Sequence, residues 1–237
     1  EDGRLVASAM ALPYGTFGWV CMVLVSEPYR RRGLATDLMN RVIEELDRDG
    51  IVPGLDATPA GREVYKHLGF EEVYRLERLW AERVSNFMDV PETSVVISPM
   101  SMSEINEIAS YDATIFGADR TKLLRQLYER APKRAFVARM GQSLAGYVLG
   151  RDGREVTQIG PVTAEDGNIA IALIYRALNG MAGGAVIDAT EHQTGVIGWL
   201  KGSGFSYQRP YIRMLRGRSE PVDRMDYVFA VAGPELG

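Results

Sequence analysis

"MVLVSEPYRRRGLATDL", residues 22–38, runs from an apolar stretch through a loop of three arginines and a glycine into a helical pattern. From Leu34 onward the apolar positions Leu34, Ala35, Leu38, Met39, Val42, Ile43 and Leu46 share one face at helical spacing. The stretch therefore reads as strand, loop and helix. A helix start carries amide N–H groups that no helical carbonyl reaches, at the positive end of the helix dipole, so an anion is favoured there. Gly33 lets the backbone approach a bulky ligand, and Ala35 keeps the first turn slim. Arg30, Arg31 and Arg32 add charge-assisted hydrogen bonds of roughly 1.5–3 kcal/mol each where they are desolvated. Three cations beside several amides suit a polyphosphate better than a lone carboxylate. The other reading of such a run is a solvated basic turn.

Outward from this stretch, strand and helix signals alternate. Upstream, "GRLVASAMAL" and "GWVCMVLV" read as strands joined by the turn-rich "PYGTFG", a hairpin. Downstream, "VPGLDAT" reads as a short strand, "GREVYKHLG" as a helix ending at Gly69, and "FEEVYRLERLWAE" as a further strand. The polar "NFMDVPETS" reads as a linker. Beyond it the order recurs: "LDAT" at 55–58 returns as "IDAT" at 187–190, and Gly69-Phe70 returns as Gly204-Phe205. The helix returns as Ile169, Ala170, Leu173, Ile174, Ala177, Leu178 and Met181, each 135 residues after its counterpart, and Arg41 is matched by Arg176. Two copies of one α/β unit are predicted, at residues 1–88 and 93–237. The second adds helices "INEIASYDATIF" and "RTKLLRQLYER" and strand "RAFVARM" before its hairpin. The first copy is expected to lack its opening strand and helices in this chain.

Composition narrows the function. With 27 Lys+Arg against 31 Asp+Glu the net charge is −4, so the arginines are a local feature and broad nucleic-acid affinity is disfavoured. At 46% hydrophobic and 24% charged, 237 residues have ordinary globular composition. The single cysteine, Cys21, forms no internal disulfide, and no apolar run of about 18 residues suggests a membrane span. A cytoplasmic protein with no membrane or nucleic-acid partner is expected. His67 and His192 lack ligand spacing, so no metal site is expected.

Arg30-x-x-Gly33-x-Ala35 after the apolar strand, followed by "LDATPAGREVYKHLGF", resembles the GCN5-related N-acetyltransferase (GNAT) superfamily over nearly all of residues 3–80. The GxxxxGK[ST] and GxGxxG phosphate loops do not fit. The resemblance implies an α/β (α+β) fold of two tandem GNAT-like domains, each a mixed, mainly antiparallel sheet flanked by helices. It implies acetyl-coenzyme A as acyl donor. Backbone groups of Val23, Leu24 and Val25 would pair with the pantetheine arm, one amide polarising the thioester carbonyl. Arg30, Arg31, Arg32, Gly33, Leu34, Ala35 and Thr36 would hold the pyrophosphate. Tyr65, four residues before Gly69, stands where the family commonly places the acid that protonates the departing thiolate. A half-buried aromatic on an amphipathic helix is the alternative role for Tyr65.

Three positions depart from the family: Thr58 stands where asparagine is frequent, with Gly61 where alanine is usual, and Trp19 stands near where some relatives carry a glutamate base. No base is visible. Asp56 recurs as Asp188 and reads as structural, and Cys21 as a small buried strand residue. In the second copy Glu165, Asp166, Gly167 and Asn168 align with the arginine loop, and Leu200 with Tyr65. Like charge repels a pyrophosphate, and leucine has no proton to give, so this copy is expected to keep the fold without the cofactor site. The expected function is acetyl-CoA-dependent N-acetylation of an amine, small molecule or peptide. A non-catalytic acyl-CoA-binding or regulatory module is the alternative. The second copy is expected to supply part of the acceptor wall through aromatics such as Tyr207 or Tyr211.

Overall fold

The computed structural model describes residues 3–237. Glu1 and Asp2, with which the first expected copy begins, lie outside the described residues. Two compact units form, and they interleave along the chain.

The first unit takes the stretch ending at Tyr74 together with Tyr211–Glu220 and Pro234–Gly237. Its hairpin joins β1 (Ala7–Pro13) to β2 (Phe17–Val25), with Gly15 at φ +79 in the turn and Tyr14 N–H closing it on the Phe17 carbonyl at 2.8 Å. Helix α1 (Leu34–Arg48) follows the arginine loop and buries Met39, Ile43 and Leu46, each worth roughly 1.5–3 kcal/mol of apolar burial. Strand β3 (Val52–Ala57) runs parallel to β2, and α2 (Pro59–His67) starts on Pro59 with Thr58 as its cap. The fourth strand of this sheet is the second half of β10 (Ser206–Arg216), antiparallel to β3 with Ile212 opposite Ala57 and Leu215 opposite Gly54. Val20, Met39, Ile43, Leu46, Leu55, Phe70, Ile212 and Met214 make one core.

The second unit takes Arg75–Pro210 and Pro221–Gly233. It contains most of β4 (Phe70–Ala81), then β5 (Val96–Pro99), α3 (Ile105–Phe116), α4 (Thr121–Arg130), β6 (Phe136–Met140), β7 (Ser143–Asp152) and β8 (Thr157–Ala164). Helix α5 (Gly167–Leu178), β9 (Ala185–Thr190), α6 (Thr194–Gly202) and β11 (Val228–Ala230) complete it. Strands β5 to β8 form an antiparallel meander, β8 and β9 run parallel, and β4 lies antiparallel to β9. Within each unit the strand pairing is thus mixed and mainly antiparallel, with helices flanking the strands.

Strand β4 ends the first sequence copy yet pairs with β9 of the second, and β10 ends the second copy yet pairs with β3 of the first. The boundaries 1–88 and 93–237 follow the repeat in sequence, whereas the compact units exchange the repeats' last strands. Asp56 and Arg213 face each other across one exchanged pair, and Asp188 and Arg78 across the other.

Candidate active site

Strand β2 changes character halfway. Its parallel register with β3 ends at Trp19 opposite Gly54, although β2 continues to Val25 and β3 to Ala57. A bulge follows on the other edge: Ser8 faces Leu24 while Met10 faces Cys21, so β2 carries one extra residue there. Met22 absorbs it with φ +52, and the Ser8 hydroxyl donates to the Met22 carbonyl at 3.0 Å. The bulge turns β2 away from its earlier line and leaves an opening beside Val20–Leu24. A cavity of about 280 Å³ lies there, lined by Cys21, Val23 and Leu24 of β2, Asp56 of β3, Tyr65 of α2, Tyr211 of β10 and Glu235.

The loop beyond β2 is braced by its own cations. Arg30 Nε donates to the Val25 carbonyl at 3.2 Å, tying the loop to the strand end. Arg32 Nη2 donates to the Pro28 carbonyl at 3.2 Å, and its guanidinium lies 5.0 Å from the Tyr29 ring centroid. Arg31 at φ +61 and Gly33 at φ +82 turn the chain into α1. For Arg31 this left-handed conformation costs on the order of 1–3 kcal/mol. The first bond of α1 runs from Asp37 N–H to the Gly33 carbonyl at 3.0 Å, so the amides of Leu34, Ala35 and Thr36 have no acceptor within the helix. All three arginines are exposed, and a Cβ on Gly33 would meet nothing within 4 Å. A helix start with such amides, beside exposed guanidiniums, favours an anion.

Tyr65 is placed by its own helix. The Thr58 hydroxyl accepts from Gly61 N–H at 3.2 Å, doing at the cap what asparagine also does. A Cβ on Gly61 would come within 2.9 Å of the Tyr65 ring, so the glycine makes room for the phenol. The ring packs on Phe70, centroids 6.0 Å apart, and burial pushes the hydroxyl above its ordinary pKa, which keeps its proton on. Burial, helped by the Glu235 charge, likewise raises the Cys21 thiol and disfavours its use as a nucleophile.

Asp56 is tied down. Its fully buried carboxylate receives Arg213 Nε and Nη2 at 3.0 and 2.9 Å, and Arg213 Nη1 also donates to the Tyr74 hydroxyl at 2.7 Å. The structure therefore brings Val23, Leu24 and Tyr65 to one cavity, with Val25 and the arginine loop continuing from its β2 wall. Tyr211 joins them, whereas Tyr207 is half exposed and lies in the part of β10 that belongs to the second unit. Pro234 and Glu235 line the cavity too, and no motif in the sequence marks them. Their only trace was Trp19, a buried indole whose N–H needs an acceptor and finds the Pro234 carbonyl at 3.1 Å.

The corresponding place in the second unit is closed twice. The Asp166 carboxylate accepts from Ile169 N–H at 2.9 Å, capping α5 with the protein's own anion. Past Ile159 opposite Ile187, where β8 and β9 would part, β11 pairs with both: Val228 faces Thr163 and Ala230 faces Ala189. The Thr190 hydroxyl holds the Val228 carbonyl at 2.7 Å, and Phe229 is buried in the core. Leu200, at the position of Tyr65, is fully buried.

Known proteins share this fold. The family described as "Acetyltransferase (GNAT) domain" matches residues 108–230, and "Acetyltransferase (GNAT) family" matches residues 1–70. The chain is similar to the holothin acyltransferase of Pseudoalteromonas sp. (strain SANK 73390), 28% identical over 235 residues, 98% of this chain and 78% of that protein. A putative acetyltransferase from Pyrococcus horikoshii shares the fold at a TM-score of 0.77 and 23% identity, over 98% of this chain and 76% of that one. So does a tandem GNAT protein from the clavulanic acid biosynthesis pathway, at 0.62 and 15%, over 93% and 82%. With these two matches spanning most of its length, the chain belongs to the GNAT acetyltransferase family.

Proposed function

We propose that the protein transfers an acetyl group from acetyl-CoA to an amine and that the first unit carries the reaction. The observation that carries this reading is the parting of β2 from β3 after Trp19, directly ahead of a helix that opens on Gly33. Acetyl-CoA brings an activated acyl group on a thioester. In this reading backbone groups of Val23, Leu24 and Val25 align the pantetheine arm, and the amides of Arg31 to Thr36 with the three guanidiniums hold the pyrophosphate. Oxyanion charge developing on the carbonyl is met by a β2 amide aimed at it by the bulge. Tyr65 gives its proton to the departing thiolate; an ordinary phenol of pKa about 10 already stands above a thiol of about 8.5, burial raises Tyr65 further, and positioning offsets the uphill transfer.

The acceptor in this reading is a small-molecule amine or a peptide, and the protein works in the cytoplasm, as a chain with one buried free cysteine suits. No helix of the described residues is long and apolar enough to cross a membrane. The test is twofold: titration of the full chain with acetyl-CoA, and release of CoA thiol on adding a panel of amines. Micromolar binding with amine-dependent thiol release supports the reading. Binding without release under the whole panel favours a non-catalytic acyl-CoA-binding module, and absence of binding overturns both.

A further inference from the structure

Glu235 sits on a short terminal stretch whose backbone is pinned on either side of it. The Trp19 indole N–H donates to the Pro234 carbonyl at 3.1 Å, and the Tyr14 hydroxyl donates to the Leu236 carbonyl at 2.8 Å. Both aromatics are buried. Such clamping on both sides fixes the place of the side chain between them. Glu235 lines the same cavity as Tyr65 and the bulged part of β2. Cys21, Asp56, Tyr65 and Tyr211 are the other titratable groups there, from β2, β3, α2 and β10. Asp56 has its charge matched by Arg213 in a two-bond pair. Of the remaining lining, Thr58 carries a hydroxyl, and Val20, Met22, Val23, Leu24, Leu55 and Pro234 are apolar.

We propose that Glu235 holds the acceptor as its ammonium ion and takes its proton, and that the acceptor is a primary amine on an apolar body. An alkylamine has a pKa of about 10, so it arrives charged and cannot attack until it loses a proton. One ammonium proton passes to the Glu235 carboxylate. The freed nitrogen lone pair bonds to the thioester carbon, and the carbon–sulfur bond breaks with its electron pair on sulfur. Tyr65 protonates that thiolate, and the second proton leaving nitrogen restores the tyrosine through solvent. Trp19, standing where some relatives carry a base, is in this account a positioning residue for a base on another segment.

The proposal rests on the acetyl-CoA reading, and its test separates the two. Phenethylamine is titrated into the full chain with CoA present, and thiol release is followed with acetyl-CoA, for wild type, Glu235→Gln and Glu235→Asp. The expected result is phenethylamine affinity and kcat/KM both down at least tenfold in Glu235→Gln, partial recovery in Glu235→Asp, and acetyl-CoA affinity unchanged in both. Unchanged amine affinity and rate in Glu235→Gln overturn the proposal. So does a wild type that binds acetyl-CoA but neither binds nor acetylates phenethylamine. Loss of acetyl-CoA binding in the wild type would instead overturn the function it rests on.

Discussion

Arg213 grips Asp56 through two hydrogen bonds of 3.0 and 2.9 Å, joining the last strand of the second sequence copy to a central strand of the first unit. Arg78 grips Asp188 the same way at 2.7 and 2.8 Å, 135 residues earlier in the chain. Each arginine stands directly opposite its aspartate in the strand register. Asp56 also lines the cavity beside Tyr65, and the Arg213 guanidinium lies 4.4 Å from the Trp19 ring.

Removing one partner leaves a buried charge unmatched. Arg213→Met is expected to destabilise the protein by about 3–5 kcal/mol, and Arg213→Met with Asp56→Leu by clearly less, because both charges are then gone. Urea denaturation of the three proteins checks this. Equal losses in the single and double variants would show that the pair matters only through packing.

Tyr65→Phe keeps the ring against Phe70 and deletes the proton. Its kcat is expected to fall at least tenfold with acetyl-CoA affinity unchanged. Gly61→Ala pushes a methyl toward the same ring and is expected to lower kcat in the same direction. Steady-state thiol release with titrated donor reads both. A wild-type rate in Tyr65→Phe assigns the tyrosine to packing alone.

Arg30→Ala combined with Arg32→Ala removes two cations and the two bonds bracing the loop. Acetyl-CoA affinity is expected to fall at least tenfold, about 1.4 kcal/mol, with more loss at low salt than at high. Isothermal titration at two salt concentrations measures it. Undiminished affinity would mean that the phosphates sit elsewhere.

Trp19→Phe retains an aromatic ring beneath Arg213 but cannot donate to Pro234. A loss near 1 kcal/mol of stability is expected from the missing bond. KM for phenethylamine should rise several-fold while acetyl-CoA affinity holds, because only the Glu235 segment loosens. A change in stability with amine kinetics untouched would confine Trp19 to the core.

Much of this was legible in order along the chain. The periodicity from Leu34 gave a helix observed at Leu34–Arg48, and "INEIASYDATIF" and "RTKLLRQLYER" are helices at Ile105–Phe116 and Thr121–Arg130. Local spacing decides such elements. The exchange of β4 and β10 was not legible, because Asp56 and Asp188 each have a matching arginine in both copies, and the repeat cannot say which pairs with which. Strand β11 was hidden for another reason: three residues at Val228–Ala230 have no period to detect, and only the open edges of β8 and β9 give them a place. Glu235 escaped likewise, since its position depends on Trp19 and Tyr14, more than 200 residues away in sequence.

The central claim is that acyl donor binds where β2 has opened and not where β11 has filled the gap. A crystal structure of the chain grown with acetyl-CoA tests it most directly. One molecule is expected, its pantetheine arm along Val23–Val25 and its pyrophosphate over Gly33–Thr36, with β11 still paired to β8 and β9. Acetyl-CoA seated at Glu165–Asn168 with Val228–Ala230 displaced, or its absence from the first unit, would contradict the account.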